Sequence, residues 1–341
     1  MSNVTKLILT IASVIFLVVV PTGEVRSATS PDWNKCSQID NDAERLKCYD
    51  ALSGRASNQP AAENVQPVPS PEKPKHKESY LTKLWQLDKA TRQGAFSLMP
   101  HRSNYILPLS YNSSPNREPF QAGMSGRDIQ ETEVKLQLSL KVKLWEDILN
   151  RDMDLWFGYT QKSFWQLYNF KESAPFRETD YEPELLLNFR TNYHLLGLNG
   201  RTATVGFNHQ SNGRSDPYSR SWNRIVGNLG FERDNFTLLL KTWCRLPESA
   251  ASDDNPDLEK YMGYGEVWAY YFWKEHRFGL MLRDNLRTDD NRGALQLEWS
   301  FPLLENVSGH IQYFVGYGEN LLDYNHSVNR IGIGFIIKDW D

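Results

Sequence analysis

The 341-residue chain lacks a surplus of positive charge, because 38 Lys and Arg residues are balanced by 42 Asp and Glu residues, for a formal net charge of -4. The basic and acidic side chains are also interspersed along most of the sequence. A surface that binds nucleic acid needs clustered Lys and Arg to neutralise phosphates. The composition therefore argues against a nucleic-acid partner.

Long apolar runs are also lacking after the N-terminus. A membrane-spanning helix needs about 18 or more consecutive apolar residues, and no run of that length follows the shorter N-terminal apolar run, Leu7 to Val20. That first run comes after Lys6 and before small residues that suit cleavage after Ser27, which is the pattern of a secretory signal peptide. If the mature protein crosses a membrane, we expect it to do so as a β-barrel.

Cysteine is scarce, with only three in the chain. Export would place Cys36 and Cys48 in an oxidising compartment, where a disulfide between them would close a short loop. Cys244 would remain a free thiol with a packing role rather than a chemical one. We interpret residues 28–55 as a small stapled element between a signal peptide (1–27) and a linker (56–79), because the Pro, Ala, Gln, Glu and Lys residues of the linker bury too little apolar area to fold.

What the chain does have is period-two alternation. From Val134 to Leu144 the even positions are apolar and the odd positions are polar or charged. This stretch exceeds the about 5 to 6 residues of an ordinary strand and fits the about 9 to 11 residues of a membrane-spanning strand. Similar segments bring the total to about twelve, separated by alternately short and long polar breaks. Residues 80–341 are therefore predicted to be all-β and to form a twelve-stranded antiparallel transmembrane β-barrel.

Tryptophans near the predicted strand ends suggest the aromatic belts that mark membrane interfaces. They are Trp145, Trp156, Trp222, Trp243, Trp273 and Trp299.

The stretch from Asn208 to Arg224 combines residue types that suit covalent catalysis. His209 precedes Ser211 by two residues, and Asn223 follows on the far side of a turn. A base, a hydroxyl nucleophile and an amide that orients the base are the three parts of a serine hydrolase. In a strand, turn and strand arrangement, His209 and Ser211 share one face and the returning strand can present Asn223 beside them.

Strand phase predicts that this face is in contact with lipid. The odd positions 203–207 are apolar, and His209 and Ser211 continue their row, while Asn223 continues the row of Ile225. Polar side chains next to lipid are unfavourable unless they pair with each other. A nucleophile on this face implies a substrate that resides in the bilayer, namely a lipid ester.

The turn after Ser211 adds two further elements. Gly213 permits close approach of backbone N–H groups to an oxyanion. Ser215, Asp216 and Ser219 supply oxygens for a hard cation such as calcium. The same residue types are common in ordinary turns, and spacing alone does not decide between these two interpretations.

At these residues the chain closely resembles the outer membrane phospholipase A family of Gram-negative bacteria, over about residues 95–341. Beside Asn208–Arg224, the resemblance is carried by the segments Tyr159–Ser163, Ser173–Thr179, Asp253–Asp257, Lys260–Tyr264 and Gly316–Asn320. It implies a twelve-stranded outer-membrane barrel whose active site lies toward the outer leaflet. It also implies hydrolysis of phospholipid and lysophospholipid acyl esters, with activity that depends on calcium and on a homodimer.

The resemblance also implies a role for each site residue. Ser211 would be the nucleophile, His209 the base, Asn223 its orienting partner and Gly213 an oxyanion donor. Catalytic calcium would be held by the backbone carbonyl of Arg214 and by Ser219 of one subunit, together with Ser173 of the other. Asp216 and Asp254 match acidic positions that bind calcium in the resting monomer, and Gln161 matches a polar residue of the dimer interface, where it would hydrogen-bond its symmetry mate.

Two other classes of protein make different predictions. A non-enzymatic outer-membrane barrel, porin-like or structural, would have an open polar lumen and would conduct ions without esterase activity. An exported soluble esterase with a β-rich fold would partition into the aqueous phase without detergent, and the long alternating strands argue against it.

Overall fold

The computed structural model describes residues 34–53, 78–122 and 128–337. The predicted signal peptide and nearly all of the predicted linker therefore lie outside the described residues. The chain divides into two compact units, Met1–Lys75 and His76–Asp341.

The described part of the first unit consists of two short helices, α1 (Asn34–Ser37) and α2 (Asp42–Leu52). The side chain of Asn41 caps α2 by accepting hydrogen bonds from two backbone N–H groups of its first turn. A disulfide joins Cys36 to Cys48, with their Cα atoms 5.5 Å apart, so the predicted pairing is confirmed.

The second unit begins with α3 (Tyr80–Trp85) and a 3₁₀ turn (Lys89–Thr91). Two further short helices, α4 (Glu118–Ala122) and α5 (Leu258–Met262), lie in connections between strands. Its strands are β1 (Leu98–Pro100), β2 (Tyr105–Asn112), β3 (Thr132–Trp145), β4 (Met153–Trp165), β5 (Phe176–Leu195), β6 (Leu198–Ser211), β7 (Ser221–Arg233), β8 (Phe236–Arg245), β9 (Gly265–Trp273), β10 (His276–Asp284), β11 (Gly293–Leu304), β12 (Val307–Gly316) and β13 (Val328–Ile337). No helix among the described residues is long and apolar enough to cross a membrane.

The strands form one closed antiparallel barrel. Each strand from β3 to β13 pairs with the next, and β2 closes the ring by pairing with both β13 and β3. The three-residue β1 pairs with β3 beyond the end of β2, so β1 and β2 together occupy one strand position of the barrel. The prediction of a twelve-stranded all-β barrel is confirmed.

The connections differ in length on the two ends of the barrel. Residues 196–197, 234–235, 274–275 and 305–306 form two-residue turns on one end. On the other end, longer loops at 166–175, 212–220, 246–264, 285–292 and 317–327 join the strands. The loop 212–220 of the predicted catalytic hairpin lies on the long-loop end.

Side-chain burial alternates along the strands as the period-two pattern predicts. Outward positions such as Leu138, Val205, Phe207 and Ile225 remain between 41 and 46% exposed. Their sequence neighbours in the strands point into the lumen and are buried or half-buried. An apolar outer face around a polar interior is the pattern of a barrel in a membrane.

Two sets of side chains fill the lumen. An apolar cluster joins Leu81, Leu84 and Trp85 of α3 to the barrel wall at Trp156 and Trp222. Buried ion pairs occupy other parts of the lumen, including Lys135 with Glu319 at 2.8 Å. A lumen packed in this way differs from the open polar channel expected of a porin.

The tryptophan belt is only partly as predicted. Trp145, Trp273 and Trp299 are exposed on the outer face. Trp156, Trp222 and Trp243 are instead buried in the lumen cluster. The prediction was wrong for these three because their strand phase, not their position near a strand end, decides which face they occupy.

Candidate active site

Antiparallel pairing of β6 with β7 builds the centre of the site. The register places His209 directly opposite Asn223 and Ser211 opposite Ser221. All four side chains point outward, in the same rows as the exposed Phe207 and Ile225. The predicted outward phase of the hairpin therefore agrees with its place in the barrel.

One hydrogen bond joins the two strands within this row. His209 Nδ1 lies 2.9 Å from Asn223 Oδ1, and both residues are half-buried. A carboxamide oxygen only accepts, so the imidazole must carry its proton on Nδ1 to make this bond. The lone pair of the imidazole is then on Nε2, the nitrogen that a general base would use.

Ser211 follows His209 on the same face of β6 and is half-buried. Its cross-strand neighbours are Ser221 on β7 and Tyr181 on β5. Within the described part of the chain, no hydrogen bond connects the Ser211 hydroxyl to the imidazole of His209. Hydrogen bonds between catalytic groups are often long in a free enzyme and tighten when substrate binds.

A buried polar network lies on the lumen side of the same hairpin, behind the catalytic row. Arg224 Nε donates to Asn208 Oδ1 at 2.9 Å, and Asn208 Nδ2 donates to Glu182 Oε1 at 2.8 Å. Arg102 makes two hydrogen bonds to Glu182 and one to Glu184, each between 2.8 and 2.9 Å. These bonds tie β5, β6 and β7 together at the level of the His209 and Asn223 pair.

The turn 212–220 is organised by Asn212, whose role sequence analysis missed. Its Oδ1 accepts the N–H groups of Arg214 at 3.3 Å and Arg220 at 3.0 Å, and its Nδ2 donates to the Tyr218 carbonyl at 2.9 Å. An Asn that closes a turn on its own backbone is a common local device. The sequence signal was present in Asn212-Gly213, but its partners depend on the fold of the loop.

Gly213 has a φ of +63°, in the left-handed region that favours glycine. A Cβ atom at this position would lie 3.3 Å from the ring of Tyr181, which is tighter than ordinary van der Waals contact. Both observations explain why glycine follows the nucleophile by two residues.

The side chain of Arg214 is held away from the turn by β5. Its Nε donates to Glu178 Oε2 at 2.8 Å, and its Nη2 donates to the Arg177 carbonyl at 2.6 Å. The guanidinium is therefore hydrogen-bonded to the barrel wall. The group that Arg214 can offer to a cation is its backbone carbonyl.

The remaining candidate calcium ligands are only partly brought together. Ser219 Oγ donates to Asp254 Oδ2, which joins the turn 212–220 to the loop 246–264. Asp216 is exposed, and Ser173 is exposed in the separate loop 166–175. Among the described residues, no group of three or more His, Cys, Asp and Glu side chains is placed to hold a metal. The available donors are hydroxyl, carboxylate and carbonyl oxygens, which suit Ca²⁺.

Gln161 lies on the outer face of β4, two strands from His209. Its side-chain amide accepts from Tyr159 at 3.1 Å and donates to Ser163 at 3.3 Å. Thr179 of β5 extends this outward polar row by donating to Ser163 at 3.0 Å.

The sequence model of the family described as Phospholipase A1 matches residues 81–337. Phospholipase A1 of Klebsiella pneumoniae is 39% identical over 294 residues, which cover 86% of this chain and 98% of that protein.

Two solved structures have the same fold. The outer membrane phospholipase A of Escherichia coli, in a variant with an active-site asparagine changed to alanine, matches with a TM-score of 0.68 and 38% identity, over 73% of this chain and 95% of that one. The Salmonella typhi outer membrane phospholipase, described as a dimer with bound calcium, matches with a TM-score of 0.68 and 39% identity, over 73% and 96% of the two chains.

Proposed function

The chain belongs to the phospholipase A1 family, and from that premise we propose that this phospholipid ester hydrolase of the Gram-negative outer membrane works through Ser211, His209 and Asn223 on the outer face of its barrel. The observation that carries the proposal is the 2.9 Å hydrogen bond between His209 and Asn223, two residues along the strand from Ser211. The substrates are phospholipids and lysophospholipids, cleaved at their acyl esters.

The proposed reaction begins with proton transfer to the imidazole. Asn223 Oδ1 holds the Nδ1–H of His209, so Nε2 takes the proton of Ser211 as its oxygen attacks the ester carbonyl. The backbone N–H of Gly213 donates to the oxyanion that forms. His209 then gives its proton to the departing alcohol, and the acyl group is left on Ser211. Water, deprotonated by His209, releases the fatty acid in the same manner.

The outward position of the site fits a substrate taken from the membrane. An ester in the interfacial region of the bilayer can reach Ser211 without entering the lumen, which apolar side chains and ion pairs fill. The site lies at the long-loop end of the barrel, which we assign to the outer leaflet. An asparagine in the active site of the Escherichia coli relative supports the role given to Asn223.

Calcium and a second subunit would complete the site. We assign as ligands the Arg214 carbonyl and Ser219 Oγ of one subunit and Ser173 of its partner, and we assign Asp216 and Asp254 to calcium binding in the monomer. Bound there, calcium would supply positive charge that stabilises the oxyanion. The Salmonella typhi relative, described as a dimer with bound calcium, supports both parts of this proposal.

Gln161 would then lie in the dimer interface. Its amide uses one N–H and one lone pair within its own row, and a second copy of the same row provides partners for the remaining N–H and lone pair, which would be unfavourable in lipid.

The test is hydrolysis of phospholipid in mixed micelles, with calcium and with a chelator. We expect calcium-dependent release of fatty acid by the parent protein and its loss in Ser211→Ala. Ser221→Ala is the matched control, because Ser221 is the cross-strand neighbour of Ser211 and has no role in the proposed chemistry. Equal activity in Ser211→Ala and the parent would refute the assignment.

A further inference from the structure

The Asn223 carboxamide has a second partner that the triad does not use. Its Nδ2 donates to Glu248 Oε1 at 3.4 Å, at the long end of the hydrogen-bond range, while its Oδ1 faces His209 at 2.9 Å. Glu248 is half-buried in the loop that follows β8. Resting on the function proposed above, we propose that Glu248 is a positioning residue that extends the Ser211, His209 and Asn223 series by one carboxylate.

The first consequence is the orientation of the amide. An ionised carboxylate accepts hydrogen bonds but does not donate them, so it selects the NH₂ end of Asn223. The carbonyl end must then point to His209, which fixes the proton on Nδ1 and the lone pair on Nε2. Without Glu248 the carboxamide could turn over, present NH₂ to the imidazole and select the wrong tautomer.

The second consequence is electrostatic. A neutral Asn orients an imidazole but adds no negative charge to stabilise the imidazolium that forms during proton transfer. Glu248 places a charge one carboxamide away and polarises the Asn223 carbonyl toward His209. Within the described residues, no Lys, Arg or His lies within ion-pair distance of Glu248, so its charge is not neutralised by a neighbouring cation.

The loop that carries Glu248 is anchored to the hairpin at both ends. The N–H of Leu246 donates to the Asn223 carbonyl at 2.8 Å. Further along, Arg245 pairs with Asp253 at 2.6 Å, and Asn255 Oδ1 accepts the N–H of Ser221 at 2.9 Å. These contacts hold the loop against β7 on both sides of the Glu248 position.

Few other titratable groups face His209. Among the described residues, the neighbouring strands contribute Tyr181 of β5 to the outer face, with Tyr159 of β4 one strand further away. On the other side of the hairpin, the free thiol of Cys244 lies on the outer face of β8, opposite Ile225. The charged groups at positions 182, 184 and 224 belong to the lumen network instead. Glu248 is therefore the carboxylate that contacts the Asn223 carboxamide on the outer face.

Two variants separate orientation from charge. Glu248→Gln keeps an acceptor oxygen for Asn223 Nδ2 but loses the charge, and Glu248→Ala loses both. Because the carboxylate stabilises the imidazolium that forms during proton transfer, we expect Glu248→Gln to lower kcat about threefold with an unchanged KM. In Glu248→Ala we expect about a tenfold loss in kcat.

The control is Glu259→Gln, which removes the same charge from a half-buried position on the same end of the barrel. The ¹⁵N chemical shifts of the His209 ring, identified by the resonances lost in His209→Gln, report its tautomer and need no catalysis. Loss of the Nδ1–H tautomer in Glu248→Ala but not in Glu259→Gln supports the proposal even if esterase activity is absent, which would refute only the proposed function. An unchanged His209 tautomer in Glu248→Ala, or a change confined to KM, would overturn the role of Glu248.

Discussion

Replacing Asn223 by Ala removes the hydrogen bond that holds the imidazole of His209. In the free enzyme this bond joins two neutral groups and is worth about 0.5–1.5 kcal/mol, but it becomes charge-assisted, at about 1.5–3 kcal/mol, when His209 takes the proton of Ser211. Only the difference of about 1–1.5 kcal/mol bears on kcat, which is a factor of about 5 to 13. Loss of the preferred tautomer adds a further few-fold, so we expect kcat to fall by roughly 10- to 100-fold in Asn223→Ala.

The assay is fatty-acid release from lysophospholipid in detergent at saturating calcium. Ser211→Ala sets the floor, and gel migration before and after heating checks that each barrel is folded. We expect Asn223→Ala to remain clearly above that floor, because Ser211, His209 and Gly213 are still present. Activity equal to the parent would show that the bond does not contribute to catalysis, and activity at the Ser211→Ala floor would show that Asn223 does more than orient His209.

Three further predictions test other parts of the site and the barrel. Gly213→Ala should lower kcat about tenfold with little change in KM, because a side chain at φ +63° is strained by about 1–2 kcal/mol, and steady-state kinetics measure this. Ser219→Ala and Asp254→Asn should raise the calcium concentration that gives half-maximal activity. If that concentration is the same in both variants as in the parent protein, these residues do not bind the metal. Arg277→Met should lower the free energy of unfolding by about 3–5 kcal/mol, because it leaves buried Glu298 without its ion-pair partner. The exposed pair of Arg233 and Asp234 should contribute at most about 1 kcal/mol, and urea unfolding in lipid vesicles measures both.

Period-two alternation predicts the barrel well because the face that a strand residue occupies depends on the parity of its position. The same parity correctly places His209 and Asn223 on the outer face, and because the two strands follow each other in the sequence, their antiparallel pairing is predictable. The error with Trp156, Trp222 and Trp243 arose from using closeness to a strand end in place of parity. Where parity was applied consistently, sequence alone was sufficient.

Period-two alternation does not predict the contacts that loop residues make. Asn212 organises its turn through three hydrogen bonds, and Glu248 reaches Asn223 across a loop, but neither contact follows from a repeating pattern. Their partners are set by the path of the backbone between strands, which has no period to reveal it. For the same reason the sequence did not reveal that Ser219 and Asp254 meet.

The polar side chains of the outward row form hydrogen bonds with one another. His209 Nδ1 donates to Asn223 Oδ1, and Asn223 Nδ2 donates to Glu248. Each of these donors therefore has a hydrogen-bond partner and is not left unpaired next to lipid. Within the described residues, His209 Nε2 is then an acceptor without a hydrogen-bond partner. The Ser211 hydroxyl follows it in the same row of β6 and can donate to it, and a substrate that excludes water from this face would favour that bond. The pairing that satisfies the polar row at the membrane surface therefore leaves His209 Nε2 available to the nucleophile.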